Sequence, residues 1–307
     1  MRISVAIPTY NRPEYLRRAI MSVLGQEYSP YELIVIARPD DTLTLQVIQE
    51  AIQTNPTKRI VLENITVPGF LPPVLRAIDT ATGDVLALLD DDAEAHSDWL
   101  RRIVVHYADP LVGGVGGRYE NYFDGVKAFY PEVTEVGIVK WNGKPIGNMY
   151  CDCTFSGPVE VDFLIGGNLS YRLDLFRHAK PSEALNANVS FHWEIDAGLK
   201  VKRQNYKIIF DPKIRVDHHS APRSISGMRT LNYEGVYWSN FNYAQIMKQN
   251  LGVIRLLTYI FYSFLFGWGG SPGVAYVLIQ YLRTHEIEWR EYVYPSIMGR
   301  IKGLLTA

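Results

Sequence analysis

Short uninterrupted apolar runs punctuate the first third of the chain: Ile3 to Ile7, Glu32 to Ile36, Arg59 to Glu63 and Val85 to Leu89. Runs of this length without polar alternation predict strands that a sheet buries on both faces. Between them the rhythm changes to helical spacing. Leu16, Ala19, Ile20, Val23 and Leu24 recur on one face of a predicted helix, with Asn11 as its cap, Glu14 as the capping-box partner and Pro13 in the first turn. A second helix is predicted over Thr42 to Gln53, and a third runs through Leu75 and Ile78 to end near Gly83. Strands alternating with helices at this spacing predict an α/β fold with a doubly wound, mostly parallel sheet.

The next portion is less regular. Val112 to Tyr119 predicts a strand, followed by a polar and aromatic stretch through Tyr150. Val159 to Tyr171 contains Gly166-Gly167-Asn168, and a helix near Glu194 to Arg203 leads into a strand from Lys207 to Phe210. Gly113-Gly114-Val115-Gly116-Gly117 lacks the dinucleotide-loop spacing, because Tyr119 stands where the third glycine belongs. Close backbone packing is the expectation there.

From about Ser220 the texture changes again. Tyr233, Tyr237, Trp238, Phe241 and Tyr243 crowd together, and Leu256 to Leu282 carries no charged side chain. Gly267-Trp268-Gly269-Gly270-Ser271-Pro272-Gly273 breaks that run, leaving halves too short to cross roughly 30 Å of hydrocarbon as helices. Two helices lying in a membrane interface, or a shallow hairpin, fit the pattern and its aromatic content; a soluble helical appendage with a buried face is the other reading. Arg255 and Arg283 flank the run at opposite ends, so charge asymmetry assigns no orientation.

Composition narrows the classes. A chain of 307 residues can bury one large α/β domain, or one domain with an appendage. Net charge is −1, from 31 basic and 32 acidic residues, which gives no bulk attraction to nucleic acid. Cys151 and Cys153 are the only cysteines. Two thiols so close neither bridge easily nor make a zinc site, so reduced thiols in a cytosolic protein are expected. Met1 to Pro8 is too short an apolar run for a signal peptide and enters strand pattern at once.

The chemistry concentrates where an apolar strand meets charge. Leu88-Leu89 runs directly into Asp90-Asp91-Asp92. Three adjacent carboxylates repel, and become favourable around a divalent cation and a nucleotide diphosphate, since hard oxygen ligands suit Mg²⁺ or Mn²⁺. The plain alternative is a solvated loop before a helix capped by Ser97. In open α/β sheets, ligands bind just beyond the carboxyl ends of the strands, where these aspartates lie. Glu194 and Asp196 sit two apart near a helix start, so they do not share a face and should do different jobs; both serving as charges at a helix N-terminus is the bland reading.

Four pieces in order carry a resemblance: Pro8-Thr9-Tyr10-Asn11-Arg12 after the first strand, the Asp90-Asp91-Asp92 triplet, His192-Trp193-Glu194-Ile195-Asp196-Ala197-Gly198-Leu199-Lys200, and Arg215-Val216-Asp217-His218-His219. Together the set resembles the family 2 inverting glycosyltransferases of GT-A fold over about residues 1–220. The resemblance continues to Gly299-Arg300-Ile301-Lys302-Gly303-Leu304-Leu305. It implies a catalytic domain at 1–220, with a nucleotide-binding half at about 1–120 and an acceptor half at about 121–220. A helical, apolar region at 221–307 follows, with peripheral membrane contact. It also implies that Pro8, Thr9, Tyr10, Arg12, Asp40, Asp90 and Asp91 hold a nucleotide-diphospho sugar. Asp92 and His218 would bind the metal, with histidine favouring Mn²⁺ over Mg²⁺. Gly167 and Asn168 would face the acceptor, and Glu194, with Asp196 beside it, would supply the base.

Two departures from the family pattern stand out. His192-Trp193-Glu194 replaces the usual Gly-Glu-Asp, and Ala37 occupies the position of the aspartate that reads uracil. Asp40 or Asp41 takes over that task, or the donor carries another base such as guanine or thymine. The implied activity is metal-dependent transfer of a sugar to a hydroxyl of a glycan or lipid-linked acceptor. Its setting would be surface polysaccharide or glycoprotein glycan assembly at the cytosolic face of a membrane. A non-catalytic nucleotide-sugar-binding membrane partner is the main rival reading. A sugar-phosphate nucleotidylyltransferase is disfavoured, because the loop after the first strand has no glycine to receive a triphosphate.

Overall fold

The computed structural model describes residues 1–185, 191–221, 232–285 and 289–306; residues 222–231, the start of the expected C-terminal region, lie outside them. The elements alternate from the beginning: β1 (Ile3–Pro8), α1 (Pro13–Leu24), β2 (Glu32–Ala37), α2 (Thr42–Thr54), β3 (Ile60–Asn64), α3 (Leu71–Thr80), β4 (Val85–Leu89), β5 (Ala93–Ala95), α4 (Trp99–His106) and β6 (Val112–Phe123). Short pieces follow, β7 (Val126–Lys127), β8 (Ile138–Val139), β9 (Pro145–Ile146) and β10 (Val159–Val161). The domain closes with β11 (Asn168–Arg172), α5 (Leu173–His178), α6 (Trp193–Arg203) and β12 (Lys207–His218).

The central sheet has the order β10-β12-β6-β11-β4-β1-β2-β3. Strands β3, β2, β1 and β4 run parallel, and so do β6 and β12. β11 is antiparallel to both neighbours. Alternate residues of β1, β2 and β4 feed two cores. Ile3, Val5, Val35, Ala87 and Leu89 pack with α1, α2 and α4, whereas Ala6, Ile34, Leu86 and Leu88 pack with α3, α5 and α6. This two-sided burial is why those strands read as continuous apolar runs.

Because β2 and β3 lie on one side of β1 and β4 on the other, the chain reverses direction between β1 and β4. That switch point opens a crevice at the strands' carboxyl ends. The pairing of Asn168 with Leu89 sets Gly166-Gly167 beside the residues that leave β4. β6 and β12 run well beyond the sheet, past a register break between Asp211 and Arg215. That extension carries Tyr119, Asn121 and His218 to the crevice. In β6 the glycines permit close approach: a Cβ on Gly114 would stand 2.5 Å from the Tyr171 ring, and one on Gly116 2.4 Å from Asn168 O.

Two expected caps do not form. Asn11 has φ +55° and its N–H donates to Asp41 Oδ2 at 2.5 Å, so the N-cap of α1 falls to Arg12 and uses no side chain. Asp98, not Ser97, precedes α4; the Ser97 hydroxyl donates instead to Glu27 Oε1 at 3.3 Å.

The C-terminal helices are α7 (Tyr233–Asn250), α8 (Val253–Leu265), α9 (Val274–Thr284) and α10 (Tyr294–Leu305). A two-stranded turn, β13 (Gly267–Trp268) with β14 (Ser271–Pro272), joins α8 to α9. Tyr243, Ile246, Met247 and Tyr259 enter the same core as α3, α5 and α6. Buried Arg300 ties the region together, donating to the carbonyls of Ser263, Pro272 and Ser296. Among the described residues, no helix is long and apolar enough to cross a membrane.

Candidate functional site

The loops after β1 and β4 meet across the switch point. The Thr9 hydroxyl donates to Asp91 Oδ2 at 2.8 Å. Arg12 Nη1 donates to Asp91 Oδ1 at 2.8 Å and to Asp92 Oδ2 at 3.0 Å. Burial pushes the Asp91 carboxyl up to about 6, opposed by the Arg12 guanidinium and reinforced by the charge of Asp92. At Asp92 burial acts in the same upward direction, but His218, Arg12 and the Ala221 N–H outweigh it and hold the carboxyl below its ordinary value. Among the described residues, one guanidinium thus serves two buried carboxylates, with Asp90 beside them.

His218 faces this cluster. Its Nε2 lies 3.4 Å from Asp92 Oδ1 and its Nδ1 2.8 Å from Asn121 Oδ1, while the Tyr119 ring stacks on the imidazole at 4.5 Å. When Nδ1 carries the proton and donates it to Asn121, the Nε2 lone pair is available to a cation shared with Asp92. Asp92 and His218 then offer one oxygen and one nitrogen ligand, a set that fits a divalent cation such as Mn²⁺. A second cluster, His96, Glu120 and Asp217, places its ligand atoms within 4.8 Å of one another. There Glu120 pairs with Lys127 at 2.7 Å and Arg118 at 3.3 Å, and the cluster lies outside the cavity lining.

Two glycines separate the acids on the other wall. A Cβ on Gly167 would stand 2.4 Å from Asp90 Oδ2 and 2.5 Å from the Tyr119 ring; one on Gly166 would stand 2.9 Å from Glu194 Oε1. The Tyr119 hydroxyl donates to Asp90 Oδ2 at 2.5 Å. Adjacent Cα atoms are about 3.8 Å apart, which bounds the Asp90 and Glu194 carboxylates within roughly 12 Å of each other across the two glycines.

Apart from the His96–Glu120–Asp217 cluster, these acids, Arg12, His218 and the two glycines line one cavity of about 750 Å³. Of the residues expected from the sequence, the structure brings Pro8, Thr9, Tyr10, Arg12, Asp90, Asp91, Asp92, Gly167, Glu194 and His218 to its walls. Three others lie elsewhere. Asp196 is fully buried, accepting from Lys200 Nζ at 2.7 Å, Ser182 N at 2.8 Å and Asn250 Nδ2 at 2.9 Å. Two residues along a helix turn the side chain to the opposite face, so Glu194 meets the cavity and Asp196 anchors α6. Asn168 is also fully buried, accepting from Trp99 Nε1 at 2.8 Å and donating to Arg118 O at 2.8 Å. Asp40 stays outside the lining and accepts from Arg38.

Sequence reading missed part of the lining. Tyr119, Asn121, Tyr130 and Tyr150 come from β6 and the irregular stretch after it, while Val67, Pro68 and Phe70 form the far wall. The position of Asn121 and Tyr119 opposite His218 follows from the β6–β12 register, which no local pattern announces. Phe191 and His192 also line the cavity, and burial pushes the His192 imidazole down to about 4.

A switch-point crevice lined by carboxylates, within this mixed, mostly parallel sheet, is the architecture of the GT-A fold. The comparisons agree. The model of glycosyl transferase family 2 matches residues 4–178, and the chain belongs to that family. Glycosyltransferase AglE of Haloferax volcanii is 29% identical over 120 residues, 38% of this chain and 39% of its own length. The glucosyl-dolichyl phosphate glucuronosyltransferase of the same organism is 25% identical over 229 residues, 71% of this chain and 69% of that protein. Among solved structures, the mannosyltransferase PcManGT from Pyrobaculum calidifontis, in complex with GDP-Man and Mn²⁺, superposes with a TM-score of 0.57. That match covers 99% of this chain and 87% of that one at 16% identity, a likeness of fold.

Proposed function

We propose that this glycosyltransferase is inverting and metal-dependent, moving a sugar from a nucleotide-diphospho donor to a hydroxyl of a lipid-linked or glycan acceptor. The observation that carries the reading is the shared cavity. It is lined by Arg12, Asp91, Asp92 and His218 and by Glu194, with Gly166-Gly167 separating Glu194 from Asp90. Thr9, Tyr10 and Arg12 bind the nucleotide side, with Asp90 and Asp91 beside it. Asp92 and His218 would hold the cation, which would offset charge on the diphosphate. Glu194 accepts the proton of the acceptor hydroxyl as that oxygen forms its bond to the anomeric carbon. The bond from that carbon to the diphosphate oxygen breaks, and its electron pair leaves with the nucleoside diphosphate. One displacement inverts the anomeric centre.

The C-terminal helices support a membrane setting. Val253, Ile254, Leu257, Phe261 and Leu265 on α8, with Val274, Leu278 and Leu282 on α9, are exposed. Residues 251–285 contain no acidic side chain. Apolar faces with flanking arginines suit the interface of an anionic bilayer, and support a reading in which the C-terminal region, 221–307, lies between the catalytic domain, 1–220, and the cytosolic membrane face. One relative compared above is a glucosyl-dolichyl phosphate glucuronosyltransferase, which accords with a lipid-linked acceptor here. The test is turnover of nucleotide-diphospho sugars with Mn²⁺ and a lipid-linked acceptor, reading the product's anomeric configuration by NMR. Inverted product, abolished by chelation and by Asp92→Ala, supports the proposal; retained configuration or turnover indifferent to metal contradicts it.

A further inference from the structure

We infer that Arg38 reads the base of the donor and selects guanine; the inference rests on the transferase reading above. β2 ends at Ala37, whose methyl is fully buried and offers nothing to a ligand. The next residue, Arg38, lines the cavity together with Tyr10. Its guanidinium is fixed in two ways. Nε and Nη2 donate to the two carboxylate oxygens of Asp40 at 3.1 and 2.9 Å, and the group lies over the Tyr10 ring at 4.5 Å. Asp40 takes the Nε side of the fork, which leaves the terminal Nη1–Nη2 edge for a ligand. A held guanidinium loses little freedom on binding.

The chemistry of that edge discriminates between bases. Uracil and thymine present an N–H between two carbonyls and need an acceptor opposite it. Asp40, Asp41 and Glu63, the carboxylates at this end of β2 and β3, lie outside the cavity lining: Asp41 accepts from Asn11 N at 2.5 Å and Thr44 N at 3.2 Å, Glu63 from Arg76 Nε at 2.9 Å, and Asp40 from Arg38. A donor-only fork instead matches two adjacent acceptors, and guanine O6 with N7 is the pairing arginine makes most often. Adenine sets an amino group beside N7 and opposes a donor. The slot also favours a two-ring base: Val67 and Phe70 on its wall are exposed apolar side chains that a purine would cover.

The experiment is calorimetric titration of GDP, UDP, CDP, dTDP and ADP in the presence of Mn²⁺, on the full chain and on Arg38→Ala. GDP should bind tightest. Arg38→Ala should weaken GDP by about 5- to 150-fold, the worth of a bidentate base contact, and flatten the ranking without lowering Tm. Another base ranked first would overturn the inference alone. So would an Arg38→Ala loss shared equally by all five, since the arginine would then hold the diphosphate. Binding of none of them would overturn the transferase reading and this inference with it.

Discussion

Adding one methyl at Gly167 should disable the cavity by displacing Asp90 and Tyr119. A Cβ there would stand 2.4 Å from Asp90 Oδ2 and 2.5 Å from the Tyr119 ring, where 3.4 Å begins ordinary contact. Each neighbour must therefore yield by about 1 Å. Neither is free to do so independently, because the Tyr119 hydroxyl donates to Asp90 and its ring stacks on His218. The push thus reaches the Asp92–His218 pair as well. Overpacking of this kind costs roughly 1–3 kcal/mol, lowering Tm by about 2–4 °C for each kcal/mol in chains of about 150–250 residues and somewhat less here. Misplacing reacting groups by about 1 Å costs on the order of 100-fold in rate. The assay is kcat/KM for nucleoside diphosphate release beside Tm, with Gly157→Ala as control, since a Cβ there meets nothing within 4 Å. Unchanged kcat/KM and Tm in Gly167→Ala would refute the reasoning.

Other substitutions probe separate parts. Asp196→Ala removes the buried acceptor of Lys200 Nζ, the Ser182 N–H and Asn250 Nδ2 and should cost about 1–3 kcal/mol in urea unfolding; lost turnover at undiminished stability would return Asp196 to the reaction. His192 is depressed to about 4 by burial, whereas the unfolded chain protonates it near about 6.5. Its contribution to stability is therefore complete above that pH and is lost as pH falls toward 4. The loss is at most about 3 kcal/mol, less because the ring borders the cavity. His192→Asn, which tolerates the left-handed backbone at φ +74°, should flatten Tm between pH 6.5 and 4; an unchanged slope would place the titration elsewhere. On α8, Phe261→Glu should abolish co-flotation with anionic vesicles at unaltered Tm, its ring being 62% exposed; retained flotation would assign membrane contact to another face.

The parts legible in the sequence share one property: their physics is local. β1, β2 and β4 are buried on both faces and read as apolar runs, and the charge at the end of β4 marks the crevice without knowledge of its partners. What escaped depends on distant residues. Nothing near Asp196 reveals that Ser182 and Asn250 meet its carboxylate, nor anything near Asn168 that Trp99 does. β12 looks finished at Phe210 because the register break before Arg215 interrupts its alternation, so the strand that delivers His218 was cut short. The caps at Asn11 and Ser97 failed for a related reason: Asp41 and Glu27, from other segments, compete for those groups.

The central claim, that Glu194 is the base of the transfer, is tested most directly by Glu194→Gln, which keeps the side chain's size and removes its basicity. Donor affinity by calorimetry and kcat by product formation should be measured together. Donor affinity should be unchanged and kcat reduced roughly 10²- to 10⁴-fold, the worth of a positioned general base. Full turnover in Glu194→Gln would contradict it.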